Sequence, residues 1–152
     1  MMEDLNIQPA TNQERNWAAS LLATSEPWVS LGVSEEKTLQ TLHDPEYRVY
    51  IAHQNNKPCG VIIIHPRGVA GSPYIKTIAV SNEYRSRGIG ASLMNFAETS
   101  FRDTSRYIFL CVSSFNDKAR LFYQRLGYTM VGELKDYIID GASEILMSKR
   151  LS

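Results

Sequence analysis

What this chain lacks first is an excess of either charge: its 152 residues carry 16 basic and 16 acidic side chains, for a formal net charge of zero. That removes the electrostatic footprint of a general nucleic-acid binder and leaves only a local basic groove around Arg85 and Arg87. Cysteine is scarce as well. Cys59 and Cys111 are the only two, both fall in strand-like segments, and no Cys/His spacing matches a zinc site, so neither a disulfide scaffold nor a bound metal is expected. Cys111 is expected to be buried and inert. Long hydrophobic runs are missing: Val61 to Ile64 is the longest aliphatic stretch, too short for a bilayer, and Met1-Met2-Glu3-Asp4 offers no basic segment leading into an apolar one. The expectation is a soluble, cytoplasmic protein with no membrane or nucleic-acid partner. With no internal repeat, low-complexity tract or linker, residues 1–152 read as one domain, long enough to bury its own core.

What is present is an ordinary globular composition, 43% apolar and 21% charged, arranged in recognisable elements. Leu5 to Gln8 suits a short first strand. Thr11 and Glu14 have capping-box spacing for a helix through about Leu22, whose Trp17, Ala18, Leu21 and Leu22 share one face. A second helix is expected from Ser34 to Leu42, and between the two Glu26 to Gly32 reads as a loop around Trp28, a candidate pocket wall together with Tyr137. Tyr47 to His53 and Cys59 to His65 form a hairpin about Asn55-Asn56-Lys57-Pro58, followed by a loop from Pro66 to Pro73. Tyr74 to Val80 is a strand, and the helix after it spaces Ile89, Leu93, Phe96, Ala97 and Phe101 on one side. Tyr107 to Val112 reads as a strand buried on both faces. A helix from Asn116 to Leu126 carries Ala119, Phe122, Tyr123 and Leu126 on one stripe and ends at Gly127. Tyr128 to Leu134 and Ala142 to Lys149 close the chain as strands around an Asp140-Gly141 turn. The order predicts an α/β fold with a mixed sheet covered by helices, and a right-handed parallel crossover from Tyr74 to Val112.

The most specific feature is the junction where Ile78-Ala79-Val80 runs into Arg85-Ser86-Arg87-Gly88-Ile89-Gly90 and then a helix. Glycines let a backbone approach a bulky anion, and a helix start turns unpaired N–H groups and a positive dipole end toward it. A Walker loop would need Gly-x4-Gly-Lys-Ser/Thr, which is absent. A dinucleotide fingerprint would need glycine where Leu93 stands. The remaining pattern, Arg85-x-x-Gly88-x-Gly90 after an apolar strand, resembles the acetyl-CoA pyrophosphate loop of the GNAT superfamily of N-acetyltransferases. A second stretch, Asn116-Asp117-Lys118-Ala119-Arg120-Leu121-Phe122-Tyr123-Gln124-Arg125-Leu126-Gly127-Tyr128, is similar to that superfamily's later signature, in the right order and at a suitable separation. From the Tyr47 strand to the last strand the resemblance covers about two thirds of the chain.

The resemblance implies a GNAT-like acyl-CoA N-acyltransferase fold, a mostly antiparallel mixed sheet with splayed parallel strands flanked by helices. It implies acetyl-CoA as co-substrate and an amine acceptor. Its pantetheine arm would pair with Ile78, Ala79 and Val80, and its pyrophosphate would meet the amides of Arg87, Gly88, Ile89, Gly90 and Ala91, with Arg85 and the Ser92 hydroxyl assisting. Asn116 would touch the CoA arm and Tyr123 would act as general acid at the sulfur, although Asn116 also suits a plain N-cap and Tyr123 a core aromatic. No activated Cys or Ser nucleophile is evident, so direct transfer in a ternary complex is expected. The strand Tyr74 to Val80 has no acid where many members carry a glutamate, and the general base is unassigned; His65, Glu133 and Asp136 stand near by rough position. A non-catalytic acyl-CoA-binding module of the same fold and a domain binding ordinary nucleotides are the rival readings. The acceptor and the oligomeric state, a homodimer included, are left open.

Overall fold

The computed structural model describes residues 5–152. Its elements follow the apolar periodicity of the sequence: β1 (Leu5–Pro9), α1 (Asn12–Ala23), α2 (Trp28–Leu31), α3 (Glu35–His43), β2 (Arg48–Gln54), β3 (Lys57–Val69), β4 (Ser72–Val80), α4 (Ile89–Phe101), β5 (Tyr107–Ser113), α5 (Asp117–Arg125), β6 (Thr129–Lys135) and β7 (Ser143–Arg150). The strands form one seven-stranded sheet in the order β1-β2-β3-β4-β5-β7-β6. Every neighbouring pair is antiparallel except β4 with β5. The parallel pair is joined through α4, the crossover expected from the strand–helix–strand pattern.

The parallel pairing is short, and the register shows where it stops. On β3, Ile63 faces Thr77 while the next residue, Ile64, faces Ile75, so Lys76 is an extra residue in β4. A bulge of this kind bends its strand and adds twist. Pairing of β4 with β5 consists of Tyr74 with Phe109 and Ile75 with Leu110, and ends at the bulge. Beyond it the two strands run on apart, β4 to Val80 and β5 to Ser113.

The two faces of the sheet are packed differently. On one face, α4 and α5 set Ile89, Leu93, Met94, Ala97 and Tyr123 against Ile62, Ile64, Ile75, Ile108, Leu110, Val112, Ile145 and Met147. Burying a side chain such as Leu93, with no exposure left, contributes about 1.5–3 kcal/mol. On the other face Ala18, Ala19, Leu22 and Leu42, from α1 and α3, pack on Val49, Ile51, Val61, Ile63 and Ala79. That second cluster stops at β4, so among the described residues no helix packs on this side of β5 and β7.

Several boundaries differ from those expected. The strand ending at His65 continues to Val69, because the ladder is merely irregular between His65 and Val69. Pro66 sits in that gap, where a missing N–H costs nothing, and the turn itself is only Ala70-Gly71. Trp28 begins a one-turn helix rather than standing in a loop, and Gly32 closes it at φ 71°. The strand from Tyr107 is buried on one face only: Ile108, Leu110 and Val112 are sealed, whereas Phe109 and Cys111 are half-buried on the side without a helix. Cys111 is therefore not the fully buried thiol expected. Thr11 and Glu14 do form the capping box, each accepting a bond from the other's amide. Among the described residues no helix is long and apolar enough to cross a membrane.

Candidate functional site

Two helices start at the carboxyl ends of the two parallel strands, α4 after β4 and α5 after β5, which is where open α/β sheets bind ligands. The N-termini of α1, α3 and α5 are closed by the side chains of Thr11, Ser34 and Asn116, but Gly88 begins α4 with no side-chain cap. The first backbone bond into this helix runs from Ser92 N to Gly88 O at 3.0 Å. The amides of Ile89, Gly90 and Ala91 consequently have no partner in the helix and point out of it. The loop leading there is held in an unusual shape, with Ser86 at φ 64° and Gly88 at φ 80°. Ile89, almost fully buried, pins its far end in the core.

The two glycines of the motif have different duties. Gly88 occupies the left-handed region, which a glycine adopts without penalty. Gly90 supplies space: a Cβ there would lie 3.3 Å from Phe122 Cζ. The loop is thereby seated on α5, one residue from Tyr123. Both arginines are exposed and held locally. Arg85 Nε donates to Val80 O at 3.2 Å, and the Arg87 guanidinium lies 5.3 Å from the centre of the Tyr84 ring.

Along β4, Ile78, Ala79 and Val80 pair with Ile62, Val61 and Gly60 of β3. Their other edge, past the end of the β5 pairing, is open. Ala91 and Ser92 lie in the first turn of α4 and border a groove between α4 and Ile7 of β1. The Ser92 amide is already used by Gly88. Asn116 is the N-cap, its Oδ1 accepting from Ala119 N at 3.2 Å; its side-chain nitrogen has no hydrogen-bond partner among the described residues.

Tyr123 is 8% exposed and packs its ring 5.3 Å from Phe122 and 6.1 Å from Tyr128. Burial pushes its phenol well above the ordinary tyrosine value, so it stays protonated. No described residue hydrogen-bonds its hydroxyl. Among the described residues Gln54 Oε1 is the one sealed side-chain oxygen or nitrogen without a partner, so the Tyr123 hydroxyl retains an opening.

The acids and the histidine that stood near by position have other occupations. Glu133 accepts from Ser143 Oγ at 2.6 Å and Asp136 from Gly141 N at 2.7 Å, both bracing the β6–β7 connection. His65 Nδ1 accepts from Arg67 N at 3.1 Å, and its ring stands edge-on to Tyr47.

A cluster that sequence reasoning missed lies on the side of β5 and β7 beyond the α1 and α3 cluster, next to Tyr74 and Lys76 of β4. Ser113 Oγ donates to Glu144 Oε2 at 2.6 Å, with both residues buried. Burial raises the Glu144 carboxyl, opposed by the Ser113 hydroxyl and the charge of Lys76. The Tyr74 hydroxyl lies against the Cys111 thiol, and burial raises both. One signal was readable: Glu144 stands in an apolar strand where alternation makes its neighbours Ile145 and Met147 core residues. Among the described residues no group of three or more His, Cys, Asp or Glu is arranged to hold a metal ion.

The family model described as acetyltransferase (GNAT) family matches residues 13–128. An uncharacterised N-acetyltransferase of Methanocaldococcus jannaschii is 38% identical over 82 residues, 53% of this chain and 53% of the relative. An N-alpha-acetyltransferase of Saccharolobus solfataricus is 32% identical over 80 residues, 51% of this chain and 48% of the relative. The chain thus spans about half the length of these curated relatives. A GNAT family acetyltransferase from Elizabethkingia anophelis, solved with acetyl-CoA bound, superposes with a TM-score of 0.78 at 20% identity, covering 97% of this chain and 99% of that one. At that identity the likeness establishes the fold.

Proposed function

This chain belongs to the acetyltransferase (GNAT) family, and on that premise we propose that it acts as one N-acetyltransferase domain, moving an acetyl group from acetyl-CoA to a primary amine of a small molecule or protein by direct attack in a ternary complex. The observation that carries this reading is the parting of β4 and β5 at the Lys76 bulge, with the uncapped start of α4 beside the gap. A strand edge with unmatched backbone groups suits the amides of a pantetheine arm. Free helical amides suit a pyrophosphate.

In this reading the β4 edge at Ile78, Ala79 and Val80 aligns the arm, although the Val80 carbonyl is already shared with Arg85. The amides of Arg87, Gly88, Ile89, Gly90 and Ala91 hold the pyrophosphate, and Arg85 and Arg87 add positive charge. Ser92, in the first turn of α4, adds its hydroxyl. Asn116 offers its side-chain nitrogen to the arm. Tyr123 is the catalytic residue: a buried, protonated phenol with an open hydroxyl protonates the departing sulfur. Burial keeps the Cys59 and Cys111 thiols protonated, which supports direct transfer over an acetyl-enzyme.

The test is coenzyme A binding by calorimetry together with thiol release from acetyl-CoA across a panel of amines. Tyr123→Phe should bind CoA within about twofold of the parent and lose about 100-fold in kcat, the range of general acid catalysis. Equal rates in a folded variant would remove Tyr123 from the mechanism. CoA binding with no transfer to any amine would leave a non-catalytic acyl-CoA-binding module.

A further inference from the structure

We propose that Glu144 is the carboxylate that receives the acceptor's ammonium group and takes its proton, so that the acceptor is a cationic primary amine approaching over the side of β5 and β7 that α1 and α3 do not reach, beside the Lys76 bulge of β4. The assignment rests on the transferase reading above and deepens it.

Among the described residues two glutamates are buried, and their surroundings differ. Glu98 is satisfied at both oxygens: Tyr128 donates to Oε2 at 2.9 Å and Lys149 Nζ to Oε1 at 2.8 Å. It is a structural acid locked between α4, β7 and Tyr128, the residue before β6. Glu144 has one hydrogen bond, from Ser113, and no ion pair among the described residues. Carboxylates are rarely buried without a partner. Its Oε1 is not a sealed orphan, because the one such atom among the described residues is on Gln54. The spare acceptor capacity of Glu144 is therefore reached from outside, on a side of β5 and β7 where no helix packs among the described residues.

Position agrees with that chemistry. Ser113 is the last residue of β5 and pairs with Glu144 across the β5–β7 ladder. The Ser113 carbonyl also accepts from Asn116 N at 2.9 Å, which ties the pair to the start of α5. Glu144 thus sits at the carboxyl end of β5, where β4 and β5 have already separated. The groups facing it are Ser113 and Cys111 from β5 and Tyr74 and Lys76 from β4. Lys76, at the bulge, is the one cation among them, and it favours the ionised carboxylate.

The proton balance is simple. The ammonium gives one proton to the Glu144 carboxylate, which returns it to solvent. The freed nitrogen pair forms the C–N bond at the thioester carbonyl, and the C–S bond breaks with its electron pair on sulfur. Tyr123 protonates that sulfur and is restored by the second proton lost from the acceptor nitrogen. The products are the N-acetylated amine, the CoA thiol and one proton in solution.

The experiment uses the full chain, CoA calorimetry, and thiol release with spermidine, L-lysine, kanamycin and a peptide with a free N-terminus. Glu144→Gln should bind CoA as the parent does and lose about 100-fold or more in kcat/KM for the best of these amines. The defect should shrink with hydroxylamine, which arrives already neutral. Ser113→Ala removes a bond that favours the ionised carboxylate, so the acidic limb of its kcat/KM profile should move to higher pH. A merely structural cross-strand pair would move neither readout. Equal turnover by the parent and Glu144→Gln, or a defect of the same size with hydroxylamine, would overturn this assignment alone. CoA binding without transfer by the parent would overturn the transferase reading and this one with it.

Discussion

Replacing Gly88 by alanine tests the anion loop with a quantity that cannot be hidden. Gly88 stands at φ 80°, ψ 8°, where an L-residue with a Cβ is strained by about 1–2 kcal/mol. The loop is anchored on both sides, by Arg85 on the Val80 carbonyl and by buried Ile89. The variant has two ways to respond. If it keeps the left-handed turn, the strain appears as lost stability, about 2–8 °C in melting temperature at roughly 2–4 °C per kcal/mol for a chain of this size. If it relaxes the turn, stability is spared but CoA must restore the strained form on binding, and affinity falls by about 5- to 30-fold.

Both routes end at the same place. The free energy from the unfolded chain to the CoA-bound protein must drop by the strain, however it divides between folding and binding. Denaturant titration of the free protein and calorimetry with CoA give the two parts, and their sum should be about 1–2 kcal/mol. A sum within about 0.5 kcal/mol of zero, the usual scatter for an unremarkable surface change, would mean that CoA does not use this turn.

Other perturbations probe the rest of the frame. Tyr128→Phe removes the 2.9 Å bond to buried Glu98 while keeping the ring, and should cost about 1.5–3 kcal/mol; a urea midpoint that moves with an unchanged slope is the expected result. Burial pushes the Glu14 carboxyl up, but the Thr11 amide and hydroxyl and the His53 ring together hold it below the ordinary value of 4.5. A carboxyl held low in the fold stabilises it above that value, and the contribution is lost as pH falls through the folded one. Glu14→Gln should therefore flatten the acid side of the stability–pH curve below pH 4.5, and an unchanged acid slope would remove the capping box and His53 from that role.

What the sequence made legible was local. Thr11 caps Glu14 three residues away, Asn116 caps Ala119 at the same spacing, and the Gly88 turn is contained within a few residues. Side chain and backbone partner lie on one turn of chain in each case, so residue types at fixed spacing suffice to specify the contact. The mixed sheet and the parallel crossover were legible too, because apolar periodicity and short connections leave few topologies, whereas the insertion of β7 between β5 and β6 was not.

The missed features depend on register instead. Lys76 becomes a bulge only because Ile63 and Ile64 of β3 choose Thr77 and Ile75 as partners, and nothing within Tyr74 to Val80 records that choice. Cys111 looked buried because Tyr107 to Val112 is apolar throughout. Whether its second face is covered depends on how far α1 and α3 reach, and their cluster ends at β4. Glu144 meets Ser113 across 31 residues of sequence, and a one-residue slip of β7 would send that carboxyl into the packed face. The same register that seats Ile145 and Met147 in the core turns Glu144 to the open side. A slip that disarmed the carboxylate would thus also expose the core, so the fold that buries the last strand also holds the acid where an amine can reach it.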